Sequence, residues 1–208
     1  MTTAPGVAAR AQIGLLGGSF DPVHNAHLAL ARSAIDSLTL DALLWIPTGN
    51  AWQKARALTP AADRIAMLRL AIADDERQRI DTCEVDRAGP SYMIDTVLEL
   101  QGRHPHARLW LLLGQDQLSN LPSWHRWRDL VSRVGFAVAN RGGVAAVAPP
   151  ELLAAGATVV DVPLAPMTIS STEIRQRVAE GQGVASLVPA AVARYIDEHK
   201  LYRNPHRS

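Results

Sequence analysis

A single cysteine, Cys83, stands in this chain of 208 residues, so no intrachain disulfide can form. That usage suits a reducing compartment. No apolar run is long enough to cross a bilayer; the longest, Leu109 to Leu113, has the length of a strand. The first residues, Met1 to Arg10, lack the apolar core of a signal peptide. Cytoplasmic location, with no membrane partner, is therefore the expectation. Charge of one sign is also missing: 21 basic residues face 20 acidic ones, for a net charge of +1. With aromatics at only 5%, this is neither a basic patch nor a stacking platform for nucleic acid. No internal repeat and no linker divides the chain. The expectation is one domain over residues 1–208, frayed at Met1–Arg10 and at Asn204–Ser208.

What is present is a regular alternation of strand and helix signals. Gln12–Leu16, Ala42–Ile46, Ile80–Val85, Arg108–Leu113, Val134–Ala139 and Val159–Val162 read as strands. Asn25–Leu38, Pro60–Ala73, Ser91–Gln101, Glu173–Ala179 and Pro189–Leu201 read as helices, with Thr59 as the expected cap before Pro60. Such alternation predicts an α/β fold: a Rossmann-like, doubly wound, mostly parallel sheet with helices on both faces. Ligands bind such sheets beyond the carboxyl ends of the strands. Gly17-Gly18, Pro47-Thr48, Gly114-Gln115-Asp116 and Asn140-Arg141 all follow strands at that edge.

The densest signal is Gly17-Gly18-Ser19-Phe20-Asp21-Pro22-Val23-His24-Asn25-Ala26-His27, at a strand-to-helix turn. Backbone N–H groups and a helix N-terminus can hold phosphate there. The glycines allow close approach of a ligand, and His24 and His27 can project from one side of the first helical turn. Phe20 is open between packing under the loop and stacking on a base. Asp21 reads as a cap of the turn before Pro22. A second phosphate-type segment, Ile169-Ser170-Ser171-Thr172-Glu173-Ile174-Arg175, supplies hydroxyls and a guanidinium at another helix start; plain N-capping is the alternative. Together these segments point to an enzyme that handles a nucleoside triphosphate.

The first segment resembles the GG(S/T)FDPxHxGH signature of bacterial nicotinate-nucleotide adenylyltransferases, of the HxGH nucleotidyltransferase superfamily. Ile169–Arg175 looks like the ISSTxIR motif. Pro47-Thr48-Gly49-Asn50-Ala51-Trp52-Gln53-Lys54 looks like PTxxPxxK, with Ala51 where proline is common. Ser91-Tyr92-Met93-Ile94-Asp95-Thr96 is similar to SYTIDTL, and Gly114 through Asp116 to Trp124 to GxDxxxxxxxW. Val188-Pro189 to Leu201-Tyr202 matches the usual ending. Two further positions depart from the pattern: Ala26 replaces the HxGH glycine, and Met93 replaces the threonine of SYT.

The resemblance implies transfer of the adenylyl group of ATP to nicotinic acid mononucleotide, giving nicotinic acid adenine dinucleotide and pyrophosphate in NAD biosynthesis. By carry-over, His24, His27 and Arg175 are catalytic. Gly17, Gly18, Ser19, Phe20, Ser170, Ser171 and Thr172 bind ATP and phosphate. Thr48, Lys54, Tyr92, Met93, Asp116 and Trp124 meet the mononucleotide. Tyr92 and Trp124 flank the pyridine, while Trp127 is expected in the core. Mg²⁺ accompanies ATP with mostly water ligands and no dedicated protein metal site. The Met93 departure bears on acid against amide preference. The alternatives are a pantetheine-phosphate adenylyltransferase or a cytidylyltransferase, which lack the Ser91-Tyr92 and Gly114–Trp124 patterns together, or a nucleotide-binding regulator without turnover. The oligomeric state is left open.

Overall fold

A computed structural model describes residues 10–49, 58–73, 75–141 and 145–204. The stretches expected to fray lie outside these residues, apart from Arg10 and Asn204, and so do Trp52 and Lys54 of the expected loop.

The strands are β1 (Gln12–Gly18), β2 (Ala42–Pro47), β3 (Gln78–Ile80), β4 (Arg108–Gly114), β5 (Gly135–Arg141) and β6 (Val159–Leu164). The helices are α1 (Asn25–Ser37), α2 (Ala61–Ile72), α3 (Cys83–Asp86), α4 (Met93–Arg103), α5 (Gln115–Asn120), α6 (Trp127–Val131), α7 (Pro150–Ala154), α8 (Ser171–Ala179) and α9 (Ala190–Glu198). One six-stranded sheet runs in the order β3-β2-β1-β4-β5-β6, and every pairing is parallel. The order reverses at β1, which pairs with β2 on one side and β4 on the other. Ligands of open α/β sheets bind beside this switch point.

The central strands are apolar on both faces, as a sheet covered twice requires. Leu16, Leu43, Trp45, Trp110 and Leu112 face a core built with α1, α2, α8 and α9. Ile13, Leu15, Leu44, Ile46, Leu111 and Leu113 face a second core built with α4, α5 and α6. The edge strand β6 accommodates Pro163, which an inner strand would not.

Two expectations are corrected. Ile80–Val85 is not a strand: β3 ends at Ile80, the Asp81 N–H still donates to the Trp45 carbonyl at 2.9 Å, and the chain then turns. Asp81 Oδ1 accepts from the Cys83 N–H at 3.1 Å and starts α3. Thr59 does not cap α2: the helix starts at Ala61, Pro60 takes the N-cap position with no side-chain donor or acceptor to offer, and Thr59 lies one residue too early.

Candidate active site

The Gly17–His27 segment spans the end of β1, the loop after it and the first turn of α1, at the switch point of the sheet. His24 is the N-cap of α1 in extended conformation, with its side chain buried. Its ring stacks on that of His27, with centroids 3.7 Å apart and planes 22° from parallel. The His24 N–H donates to His27 Nδ1 at 3.3 Å. His27 Nδ1 is thus an acceptor, which leaves Nε2 as the donor of that ring. Burial lowers the His24 pKa from 6.5 to about 4, so this imidazole is neutral near pH 7. Its Nδ1 is buried with no partner among the described residues. A buried polar atom in that state calls for a partner from outside the chain, water or ligand.

Phe20 resolves the choice left open above. Its side chain is buried, edge-on to His27 at 5.2 Å and tilted against Trp45 at 5.3 Å. The ring props His27 from below and does not present a face to a base. Its backbone, at φ 48°, shapes the turn.

The second motif meets the first. Arg175 donates to the Asp21 carbonyl at 2.7 Å and to Thr172 Oγ1 at 3.1 Å. Ser171 Oγ donates to the Pro22 carbonyl at 2.9 Å. Ser170 Oγ accepts from the Glu173 N–H at 3.1 Å and caps α8, the plain role weighed for this segment. The start of α8 is therefore pinned to the β1–α1 loop by side chains of the motif itself.

On the other side of β1, Thr48 follows β2 and donates its N–H to the Gly18 carbonyl at 2.9 Å. A Cβ on Gly17 would lie 2.8 Å from Met93 Cε, so the Met93 thioether covers that glycine. Met93 is the first residue of α4, and Tyr92 its N-cap. Tyr92 stacks on His125 at 4.3 Å and 29°. Trp124 is half-buried against the α4 side of the sheet, whereas Trp127 is buried in that core, as expected for it. Asp116 sits exposed in the first turn of α5, beyond β4, next to β1 in the sheet. Lys54 lies outside the described residues.

Five residues of this region were not singled out for these roles from sequence. Buried Arg64 donates to the carbonyls of Ser19, Thr48 and Thr59. Buried Asp21 accepts from Tyr202 at 2.7 Å and from the Thr59 N–H at 3.3 Å. Desolvation, and after it the neighbouring Asp21 carboxylate, push the Tyr202 phenol up. Buried Glu84 accepts from Thr96 Oγ1 at 2.9 Å, and desolvation raises its pKa. His125 covers Tyr92. Among the described residues, no group of three His, Cys, Asp or Glu side chains could hold a metal ion. No helix among them is long and apolar enough to cross a membrane.

A parallel sheet in this order, with two phosphate-type loops joined at its switch point, defines a nucleotide-handling α/β protein. Residues 15–177 match the family model described as cytidylyltransferase-like, and the chain belongs to that family. It is 48% identical over 198 residues to the probable nicotinate-nucleotide adenylyltransferase of Methylibium petroleiphilum, covering 93% of each chain. It is 44% identical over 198 residues to the like-named protein of Neisseria meningitidis serogroup B, covering 92% of this chain and 98% of that one. Within the broader family the chain is thus a member of the nicotinate-nucleotide adenylyltransferases. In fold it is similar to the nicotinic acid mononucleotide adenylyltransferase of Plasmodium falciparum, solved as complexes with APC and with NaAD. The TM-scores are 0.76 and 0.74, at 20% identity over 92% of this chain and 97% of that one.

Proposed function

We infer that this chain transfers the adenylyl group of ATP to nicotinic acid mononucleotide. A phosphate oxygen of the mononucleotide attacks the α-phosphorus of ATP. A new P–O bond forms as the bond to the β-phosphate oxygen breaks, and pyrophosphate leaves with the electron pair. The attacking phosphate is already anionic near neutral pH, so no general base and no covalent intermediate are required. Catalysis is then positioning and charge stabilisation.

The observation that carries the reading is the junction of the two motifs. Two stacked imidazoles at the start of α1 are tied through the Asp21 and Pro22 carbonyls to Arg175 and Ser171. His24, as a neutral ring, and His27 stacked on it donate to phosphate oxygens at the positive end of α1. Arg175, Ser171 and Thr172 hold the β/γ end of ATP, with Ser170 setting the helix start. Gly17, Gly18, Ser19 and Phe20 supply backbone to the shared phosphate site. Thr48, Tyr92, Met93, Asp116, Trp124 and Lys54 serve the mononucleotide. The Met93 N–H in the first turn of α4 suits the pyridine carboxylate, a backbone contact that needs no threonine hydroxyl.

The one carboxylate within the loop, Asp21, is engaged by Tyr202 and Thr59. A magnesium ion brought by ATP would therefore be held by phosphate oxygens and water, and would neutralise charge on the leaving pyrophosphate. The single thiol and the lack of a long apolar helix among the described residues support a cytoplasmic reaction.

The test is pyrophosphate release with ATP and Mg²⁺, comparing nicotinic acid mononucleotide with its amide. Preference for the acid is expected. ATP binding without release would favour the regulator, and release only with another acceptor would move the chain elsewhere in the superfamily. His24→Ala should lower turnover at least about 100-fold, the scale for losing a transition-state donor, with little change in folded content by circular dichroism. An intact rate in that variant would remove His24 from the chemistry.

A further inference from the structure

Arg64 is 2% exposed and sits on the buried face of α2. Its guanidinium donates to three backbone carbonyls from three segments: Ser19 at 2.8 Å, Thr48 at 2.9 Å and Thr59 at 2.9 Å. No ion pair of Arg64 occurs among the described residues; the opposite charge that acts on it is Asp21. A buried guanidinium spent on main-chain carbonyls is costly where a hydrophobic residue would pack, which calls for a role beyond stability.

The peptide unit supplies that role. In a planar trans peptide the C=O of one residue and the N–H of the next point in opposite directions. Asp21–Pro22 is the cis bond among the described residues, so Ser19–Phe20 and Thr48–Gly49 are both trans. Drawing the Ser19 carbonyl to Arg64 turns the Phe20 N–H away from the core. Drawing the Thr48 carbonyl there does the same for the Gly49 N–H. Neither amide has a backbone partner among the described residues. Gly49 is also tightly fixed, since a Cβ there would lie 1.9 Å from the Glu84 carbonyl oxygen.

We propose that Arg64 is a positioning residue: one guanidinium orients the Phe20 and Gly49 amides as a paired donor site for the substrates' phosphate groups. The two amides belong to the loops after β1 and β2, so one side chain sets both substrate halves against each other. Its own positive charge, held under the loop, adds to their attraction for anions. This deepens the adenylyl-transfer reading and rests on it for the identity of the phosphates.

The test separates phosphate recognition from general integrity of the site. Arg64→Lys keeps the buried charge but loses the planar fork that reaches three carbonyls. Equilibrium affinities for ATP and for adenosine are measured by calorimetry on wild type, Arg64→Lys and Arg64→Met. The expected result for Arg64→Lys is at least a tenfold loss for ATP with less than a twofold change for adenosine. Equal losses for both ligands, or an unchanged ATP affinity in the folded variant, would overturn the proposal. Should Arg64→Met fail to fold, the lysine variant alone decides. Affinities are read without turnover, so an inactive wild type would count against adenylyl transfer and not against the role of Arg64.

Discussion

The His24 N–H donates to His27 Nδ1 at 3.3 Å while the two rings stack at 3.7 Å, so each histidine sets the state of the other's neighbourhood. The buried ring cannot take a proton until about pH 4, whereas the unfolded chain takes one near 6.5. Between these values the unfolded state binds more protons. Stability is therefore full above pH 6.5 and falls as pH drops toward 4, by about 2–3 kcal/mol from this group. Urea unfolding at pH 7.5 and 4.5 should show His24→Asn losing less stability on acidification than wild type by about 2 kcal/mol. Parallel losses would mean that His24 titrates normally in the fold.

Gly49→Ala should be among the most damaging conservative changes in the chain. The added methyl would meet the Glu84 carbonyl oxygen at 1.9 Å, a backbone atom that cannot swing aside. A loss of more than about 2 kcal/mol is expected, with a raised KM for the mononucleotide. Gly102→Ala is the control: it lies within α4 with nothing inside 4 Å of the new methyl. That change should stabilise by about 0.5–1 kcal/mol. Chemical denaturation of the two variants checks both signs.

Tyr202→Phe removes the donor that Asp21 Oδ1 receives at 2.7 Å. The carboxylate is fully buried and would keep the Thr59 N–H at 3.3 Å. A loss of about 2 kcal/mol is expected for a bond to a charged group, with a lower kcat/KM because the β1–α1 loop loses an anchor. Unfolding midpoints and steady-state rates of the one variant test both statements; unchanged rates would limit Tyr202 to stability.

The two tryptophans should separate cleanly. Trp124→Ala is expected to raise the KM for the mononucleotide about tenfold, the scale of one lost stacking contact, while the KM for ATP stays within twofold. Trp127→Ala, in contrast, removes a ring that is 9% exposed in the α4–α6 core and carries Arg128 on its face. A cost of about 3 kcal/mol is expected there, with both KM values nearly unchanged. Equal effects of Trp124→Ala on both substrates would place it with Trp127.

The sheet was legible because its strands advertise themselves: Leu109–Leu113 and Leu43–Ile46 are apolar without a break, as a doubly covered sheet demands. The two phosphate-type motifs were legible from residue types at a strand-to-helix turn and a helix start. Ile80–Val85 misled because its apolar residues fit a strand, while the decisive event was the Asp81 carboxylate capping Cys83. Arg64 left one faint signal: it shares a helical stripe with Leu68 and Ile72, where a core residue belongs. Periodicity could mark it as a buried cation but not say which carbonyls it serves. Those come from Ser19, Thr48 and Thr59, up to 45 residues away, and only the fold brings them together.

Two of the anchors of Asp21 arrive late in synthesis. Arg175 follows it by 154 residues and Tyr202 by 181. The glycine-rich turn leaves the ribosome early and meets Thr59 and Arg64 soon after, yet its clamp is complete only once α8 and the segment beyond α9 have been made. A nascent chain carrying the whole first motif would therefore hold nucleotide weakly, and competence would appear abruptly as the last contacts close. Ligand binding in this molecule is an outcome of finished tertiary structure, so a shortened product would be silent and would not act as a half-active competitor for ATP.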